Sequence, residues 1–368
     1  MTTLSRTGLD ALIHRIQHEL DAGNITAAQV AIGLDGEVAH FQAFGAAADT
    51  DRFVIFSATK ALVAMALLPH FADGTLDLTT PVAQYIPEFG HHGKDDVTVL
   101  QLLTMQGGFP QAPIGPARWG TSEGRRAQFA EWKLDWPAGS KTEYHPTAVH
   151  WVIAELLETL NGRDYLNVVH ERVVQPAGVG RVLGPEAVGA MPVRAIGEYP
   201  ADVTELAATF GRPELIPVAS IGVDALLSIN DPRAQSAGIP GGGAVATAAD
   251  VARIYQHFLH NFGGALPDDW LADALGTIRN VSLSATDMVP ANRTIAGYVS
   301  GNDGYHLHRW MPAAPRAFGH AGAGGQLVWA DPASGLSFAF LHDTLHQDPR
   351  VEFHRAADLN DLVLALPR

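Results

Sequence analysis

Cysteine is absent from the 368 residues. That excludes disulfides, thiolate zinc sites, iron–sulfur clusters and a Cys nucleophile. Lysine is nearly absent: 4 residues against 20 arginines, so each lysine is a scarce choice. Positive charge is in deficit, with a formal net charge of −15. An acidic surface repels phosphate backbones and anionic headgroups, so neither nucleic acid nor a membrane is an expected partner. No stretch is long and apolar enough to span a bilayer. Met1–Leu20 lacks a basic start followed by an apolar run and reads as an amphipathic helix, with Leu9, Leu12, Ile13, Ile16 and Leu20 on one stripe. The expected compartment is the cytoplasm.

What is present is an ordinary globular composition, 47% hydrophobic and 17% charged. Strand-like segments sit at both ends. Gln29–Leu34 and Val38–Phe44 flank the Asp35-Gly36 turn signal, and Phe53–Phe56 is a short apolar run. Late in the chain, Arg316–Gly322, Gln326–Asp331 and Leu336–His342 alternate, with Pro332–Gly335 as a turn. Helical patterns lie between: Ser57 to about Phe71, Thr98–Met105, Thr147–Asn161 and Ala248–Phe262, with Val351–Leu366 closing the chain. Residues 185–245 are rich in Pro, Gly and Ala with weak periodicity. The order implies a sheet built from both termini, flanked by the terminal helices, with a helical lobe inserted.

Ser57-Ala58-Thr59-Lys60 carries the first chemical signal. Residues three apart on a helix share one face. A serine at a helix start lies near unpaired N–H groups. A buried lysine is favoured in its neutral form and can then take the hydroxyl proton, giving an activated nucleophile without histidine. With 12 serines and 4 lysines, a chance S-x-x-K is expected about one time in eight. The alternative is an N-cap serine with a solvated lysine, but the three following turns are almost wholly apolar and offer no solvated face.

Around this motif the sequence resembles the class C β-lactamase-like serine hydrolases, the family of β-lactamases, D-Ala-D-Ala carboxypeptidases and family VIII esterases. The resemblance runs over about residues 25–345. It rests on Phe56–Lys60, on Asp73–Leu78 with Pro81 and Tyr85, on Val97–Gly108, and on Pro240–Gly243 followed by Asp250-Val251-Ala252. It implies a serine β-lactamase-like α/β (α+β) fold with a mainly antiparallel sheet. It also implies one domain over 1–368, with a sheet lobe from 1–65 plus 250–368 and a mostly helical lobe from 66–249.

The resemblance places two more motifs. Tyr144-His145-Pro146 matches the family's Y-x-N by its tyrosine alone, and Tyr144 would share proton transfer with Lys60. His320-Ala321-Gly322 fits the third motif in its H-x-G form, on an edge-facing strand. His320 would donate hydrogen bonds toward Tyr144 or substrate, and Gly322 would admit substrate close to the strand. The backbone N–H groups of Ser57 and Ala323 would form the oxyanion hole. Pro146 removes the usual amide, for which His145 is the nearest substitute, and His320 removes a fixed cation. Both departures lean from β-lactams toward esters.

Other signals are weaker. Gly120-Thr121-Ser122-Glu123-Gly124 matches G-x-S-x-G, but no β-branched strand precedes it, so Ser122 reads as a helix start. His306 and His308 alternate as on a strand, and His91-His92 neighbour Asp95 and Asp96, yet no metal-binding spacing is present. Trp119 and Trp310 are candidate pocket walls, with Trp132 and Trp136 as further loop aromatics. The expected activity is hydrolysis of small carboxylic esters through an acyl-enzyme on Ser57, without metal or organic cofactor. The alternatives are a D-amino-acid peptidase, amidase or weak β-lactamase, and a non-catalytic binder that kept the cleft. The partner is a small ester or amide, and self-association is left open.

Overall fold

The Ala27–Leu34 strand shows why the sheet sits where it does. All eight residues are buried, which fits a central strand covered on both faces. Ala27 and Ala31 enter one core, and Ala28, Val30, Ile32 and Leu34 enter a second on the opposite face. The computed structural model describes residues 3–189, 192–200, 202–210, 221–261 and 264–366.

Ten strands are described: β1 Ala27–Leu34, β2 Glu37–Gly45, β3 Phe53–Val54, β4 Gly197–Tyr199, β5 Val245–Ala246, β6 Tyr298–Val299, β7 Phe318–Gly319, β8 Leu327–Asp331, β9 Leu336–His342 and β10 Thr344–His346. The main sheet has six strands in the order β2-β1-β9-β8-β7-β6, all antiparallel. Both chain ends thus feed one sheet, which has the antiparallel layout expected from the sequence. One face is covered by helix Ala248–His260. The other is covered by helices Arg6–Asp21 and Pro349–Leu364, where Leu12 and Ile16 share a core with Leu359 and Val363. Burying each such side chain contributes roughly 1.5–3 kcal/mol. No helix among the described residues is long and apolar enough to cross a membrane.

Several elements differ from expectation for local reasons. The helix predicted from Ser57 to Phe71 is a 3-10 turn, Phe56–Ala58, then helix Thr59–Met65, then Leu68–Ala72. Pro69 cannot donate an N–H and would clash with the carbonyl four residues earlier, so the helix breaks ahead of it. Helix Ala148–Asn161 stops where sequence predicts, at Gly162 with φ 64°. His306 and His308 lie in a 3-10 turn, not a strand. The third motif directly follows β7, and that strand is interior, with β8 on one side and β6 as the edge on the other. Phe262, at the end of one predicted helix, lies outside the described residues, as do parts of the 185–245 segment.

Candidate active site

Ser57 stands directly after Phe56, a non-glycine residue held at φ 45°. Such a conformation is uncommon and persists only where surrounding structure enforces it. β3, pinned to β5 through Phe53↔Ala246 and Val54↔Val245, supplies that support and leads the chain into the 3-10 turn. Lys60, one turn on, is 1% exposed, and its Nζ lies 3.1 Å from Ser57 Oγ. The same amine donates to the Gly241 carbonyl at 2.5 Å. Tyr144 donates its phenolic O–H to Ser57 Oγ at 2.9 Å, and Lys60 Nζ is 5.2 Å from the centre of the Tyr144 ring. A hydroxyl, an amine and a phenol remote in sequence thus meet at one oxygen.

The electrostatics assign their resting states. Burial, reinforced by the positive charge of Arg293, holds Lys60 well below the usual ammonium range, so its amine is poised to be neutral. Burial pushes Tyr144 up to about 12, against the opposing pull of its Ser57 hydrogen bond and of Arg293, so the phenol keeps its proton. A neutral amine that can accept and a phenol that can donate therefore face the same oxygen.

The backbone N–H groups of Ser57 and Ala323 donate to no oxygen among the described residues. Both residues border a cavity of about 360 Å³. Gly322, directly before Ala323, packs against Ile55, two residues before Ser57. A Cβ there would sit 2.3 Å from the Ile55 carbonyl and 2.9 Å from Gln326 Cβ. The close approach that requires glycine is therefore made by the chain's own backbone beside Ser57, while the residue also borders the cavity.

His320 is 3% exposed, and burial keeps it well below the ordinary imidazole range. Its Nδ1 is 2.7 Å from the Ala321 carbonyl and must carry the proton there. That leaves Nε2 as a bare acceptor with no partner in the buried wall. The expectation that His320 donates toward Tyr144 or substrate is corrected: the ring offers an acceptor.

Trp310 borders the cavity, but His145 and Trp119 do not. His145 faces backward from the extended stretch that presents Tyr144. Its Nε2 accepts the Phe109 N–H at 3.1 Å, its Nδ1 meets the Glu143 carbonyl, and burial lowers it to about 4. It fixes the loop and cannot stand in for an amide at the cavity. Trp119 stacks on Trp151 at 6.0 Å inside the helical lobe and donates to the Ile114 carbonyl. Pro146 does border the cavity, with no N–H to offer. Ser122 is the first residue of helix Ser122–Glu131, and its hydroxyl donates to Glu155, which Arg125 and Arg126 also engage. The His91-His92 pair belongs to no metal-binding group among the described residues.

Four residues of the site were assigned no role from the sequence. Arg293, 3% exposed, lies 3.6 Å from the Tyr298 ring centre and 5.5 Å from that of Tyr144, and donates to the Tyr298 hydroxyl. Tyr298 in turn lies 5.0 Å from His320, ring to ring. Both residues come from a loop and a two-residue strand with no periodic signal. His150, buried on helix Ala148–Asn161, hydrogen-bonds the Lys60 backbone, and burial holds it well below the imidazole range. Gly241 could have been found, since the Pro240–Gly243 run marks a backbone passing close to something.

An antiparallel sheet and a helical lobe with a serine at the strand-to-helix junction between them define the beta-lactamase-like class of hydrolases. The chain belongs to the beta-lactamase family, whose model matches residues 12–361. A curated relative, "Esterase/beta-lactamase LipL" of Mycobacterium tuberculosis, is 29% identical over 322 residues, which is 79% of this chain and 69% of that protein. The crystal structure of EstA from Arthrobacter nitroguajacolicus Rue61a superposes with a TM-score of 0.78 at 22% identity, covering 99% of both chains. A family VIII carboxylesterase superposes at 0.77 with 21% identity, again over 99% of each. At such identities the two structures speak to the fold alone.

Proposed function

We propose that this hydrolase cleaves small carboxylic esters through an acyl-enzyme on Ser57. One observation carries the reading: Ser57 Oγ is reached by both Lys60 Nζ and the Tyr144 hydroxyl at the edge of a 360 Å³ cavity. Neutral Lys60 takes the Ser57 proton as Oγ bonds to the acyl carbon. The carbonyl oxygen gains charge and rests on the N–H groups of Ser57 and Ala323. As the C–O bond breaks, Tyr144 gives its proton to the leaving alkoxide and is reprotonated from Lys60. Water then follows the same route, releases the acid and restores Ser57. A relative named as an esterase/beta-lactamase is consistent with the ester. So is the chemistry: His320 is neutral where a carboxylate-binding cation would be needed, and Pro146 offers no amide.

The test is a panel of p-nitrophenyl esters, nitrocefin and a D-Ala-D-Ala peptide, run beside a fluorophosphonate probe. Ester turnover with the probe on Ser57 is expected. Turnover of the peptide or nitrocefin in preference to esters favours the amidase alternative. No turnover with Ser57 unlabelled leaves a binding protein.

Arg293 sets the working pH in this scheme. Its charge lowers the proton affinity of Lys60. Arg293→Met removes that charge, so Lys60 holds its proton to higher pH and less of it is neutral at a given pH. The acidic limb of the kcat/KM profile for p-nitrophenyl butyrate should move upward by about one pH unit. An unmoved limb would show that Arg293 only packs against Tyr298.

A further inference from the structure

The far wall of the Ser57 cavity is formed by the end of β10, the turn His306–Arg309 and the first turns of helix Pro349–Leu364. Three charged side chains border the cavity: Arg309, Asp287 and Glu352. Arg309 is spent. It pairs with Asp303 at 2.5 Å and donates to the Pro290 and Ser300 carbonyls. Asp287 is exposed at the rim. Glu352 is different: it is only partly exposed, and it makes no hydrogen bond or ion pair among the described residues.

The surroundings do not account for Glu352. The cap position of its helix is taken by Asp348, which accepts from the Arg350 N–H. The nearby cation, Arg355, directs its hydrogen bonds to Glu19, the Gly324 carbonyl and His342, and reaches Glu352 through its charge alone. Loss of solvent pushes the Glu352 carboxyl up to about 7, against the pull of the Arg355 charge, so its desolvation is only partly offset. Phe353, the next residue, stacks on Trp310 at 4.7 Å and brings an indole to the same stretch of wall. A carboxylate and an indole bordering one concave site attract an organic cation, the first by charge and the second by the ring's negative face. Negative charge without a direct ion-pair partner in a low-dielectric cleft also favours cationic ligands over anionic ones.

We propose that Glu352 and Trp310 form an ammonium subsite, and that the substrates are esters carrying a protonated amine or quaternary nitrogen. This rests on the ester-hydrolase reading given above. Nothing in the reaction changes: the cation is held at the far wall while its ester reaches Ser57.

Two isosteric pairs test it at about pH 8, where Glu352 is ionised and an alkylamine protonated. p-Nitrophenyl 6-aminohexanoate against p-nitrophenyl heptanoate reads a cation on the acyl side. Choline butyrate against 3,3-dimethylbutyl butyrate reads one on the alcohol side. One pair should show about a tenfold kcat/KM preference for its cationic member, and Glu352→Gln should bring that ratio close to one. Ratios near one for both pairs in the natural protein, or a preference that survives Glu352→Gln, overturn the subsite. Turnover of the neutral members tests the esterase reading separately. Calorimetric titration with hexylammonium chloride needs no turnover: binding should weaken about tenfold in Glu352→Gln, and equal binding to both proteins rejects the subsite even if no ester is cleaved.

Discussion

Ser57→Ala should leave no measurable ester turnover, and Lys60→Met should lose about 10⁴-fold or more in kcat while the protein stays folded. The two changes remove different halves of one event. Without Oγ no acyl-enzyme forms. Without the amine, Oγ keeps its proton, because among the described residues no other neutral base lies within hydrogen-bond reach of it. Tyr144 is there, but at a pKa of about 12 it is a donor at neutral pH. Methionine suits the second test because it nearly conserves the volume of a side chain that is 1% exposed. It also ends the burden of keeping an amine from water, so a thermal midpoint at or above that of the natural protein should accompany the loss. Steady-state rates with p-nitrophenyl butyrate, read beside calorimetric unfolding, check both points. Substantial turnover by Lys60→Met would mean that the Ser57 proton leaves by another path.

Tyr144→Phe should cost about 10²- to 10⁴-fold, unequally among substrates. The ring stays, and with it the packing near Lys60, Arg293 and His320. Only the hydroxyl at 2.9 Å from Ser57 Oγ goes. If Tyr144 protonates the departing alkoxide, a poor leaving group suffers most. p-Nitrophenoxide departs unaided and needs little help. The kcat of ethyl butyrate should therefore fall at least tenfold further than that of p-nitrophenyl butyrate. Equal losses on the two esters would assign Tyr144 to the nucleophile and not to the leaving group.

How much of this was legible in the chain depends on the range of the signal. Ser57 and Lys60 are one helical turn apart, so their meeting follows from local geometry, even though the actual turn is 3-10 and the helix behind it is broken by Pro69. The sheet was legible because alternating apolar segments cluster at both ends. Tyr144 and His320 came only through the resemblance, since nothing local says that residues so far apart converge. His145 was misassigned by adjacency: neighbours on an extended stretch point to opposite sides, and Tyr144 takes the cavity side. Trp119 shows the same limit, because an aromatic in a loop can stack inward as readily as line a cleft. Arg293 was invisible, as its worth lies in being buried against two tyrosines, and burial of a loop arginine has no sequence period. The tautomer of His320 depends on one carbonyl, that of Ala321.

The contact between Gly322 and Ile55 has a consequence for selectivity. With room for no more than a hydrogen at that point, the segment before the nucleophile and the segment before Ala323 cannot slide past each other. The two amides proposed to cradle the oxyanion are therefore held at a spacing that no substrate can renegotiate. Catalytic geometry is shared by everything that enters, and discrimination among substrates is left to the parts of the cleft farthest from the bond being broken.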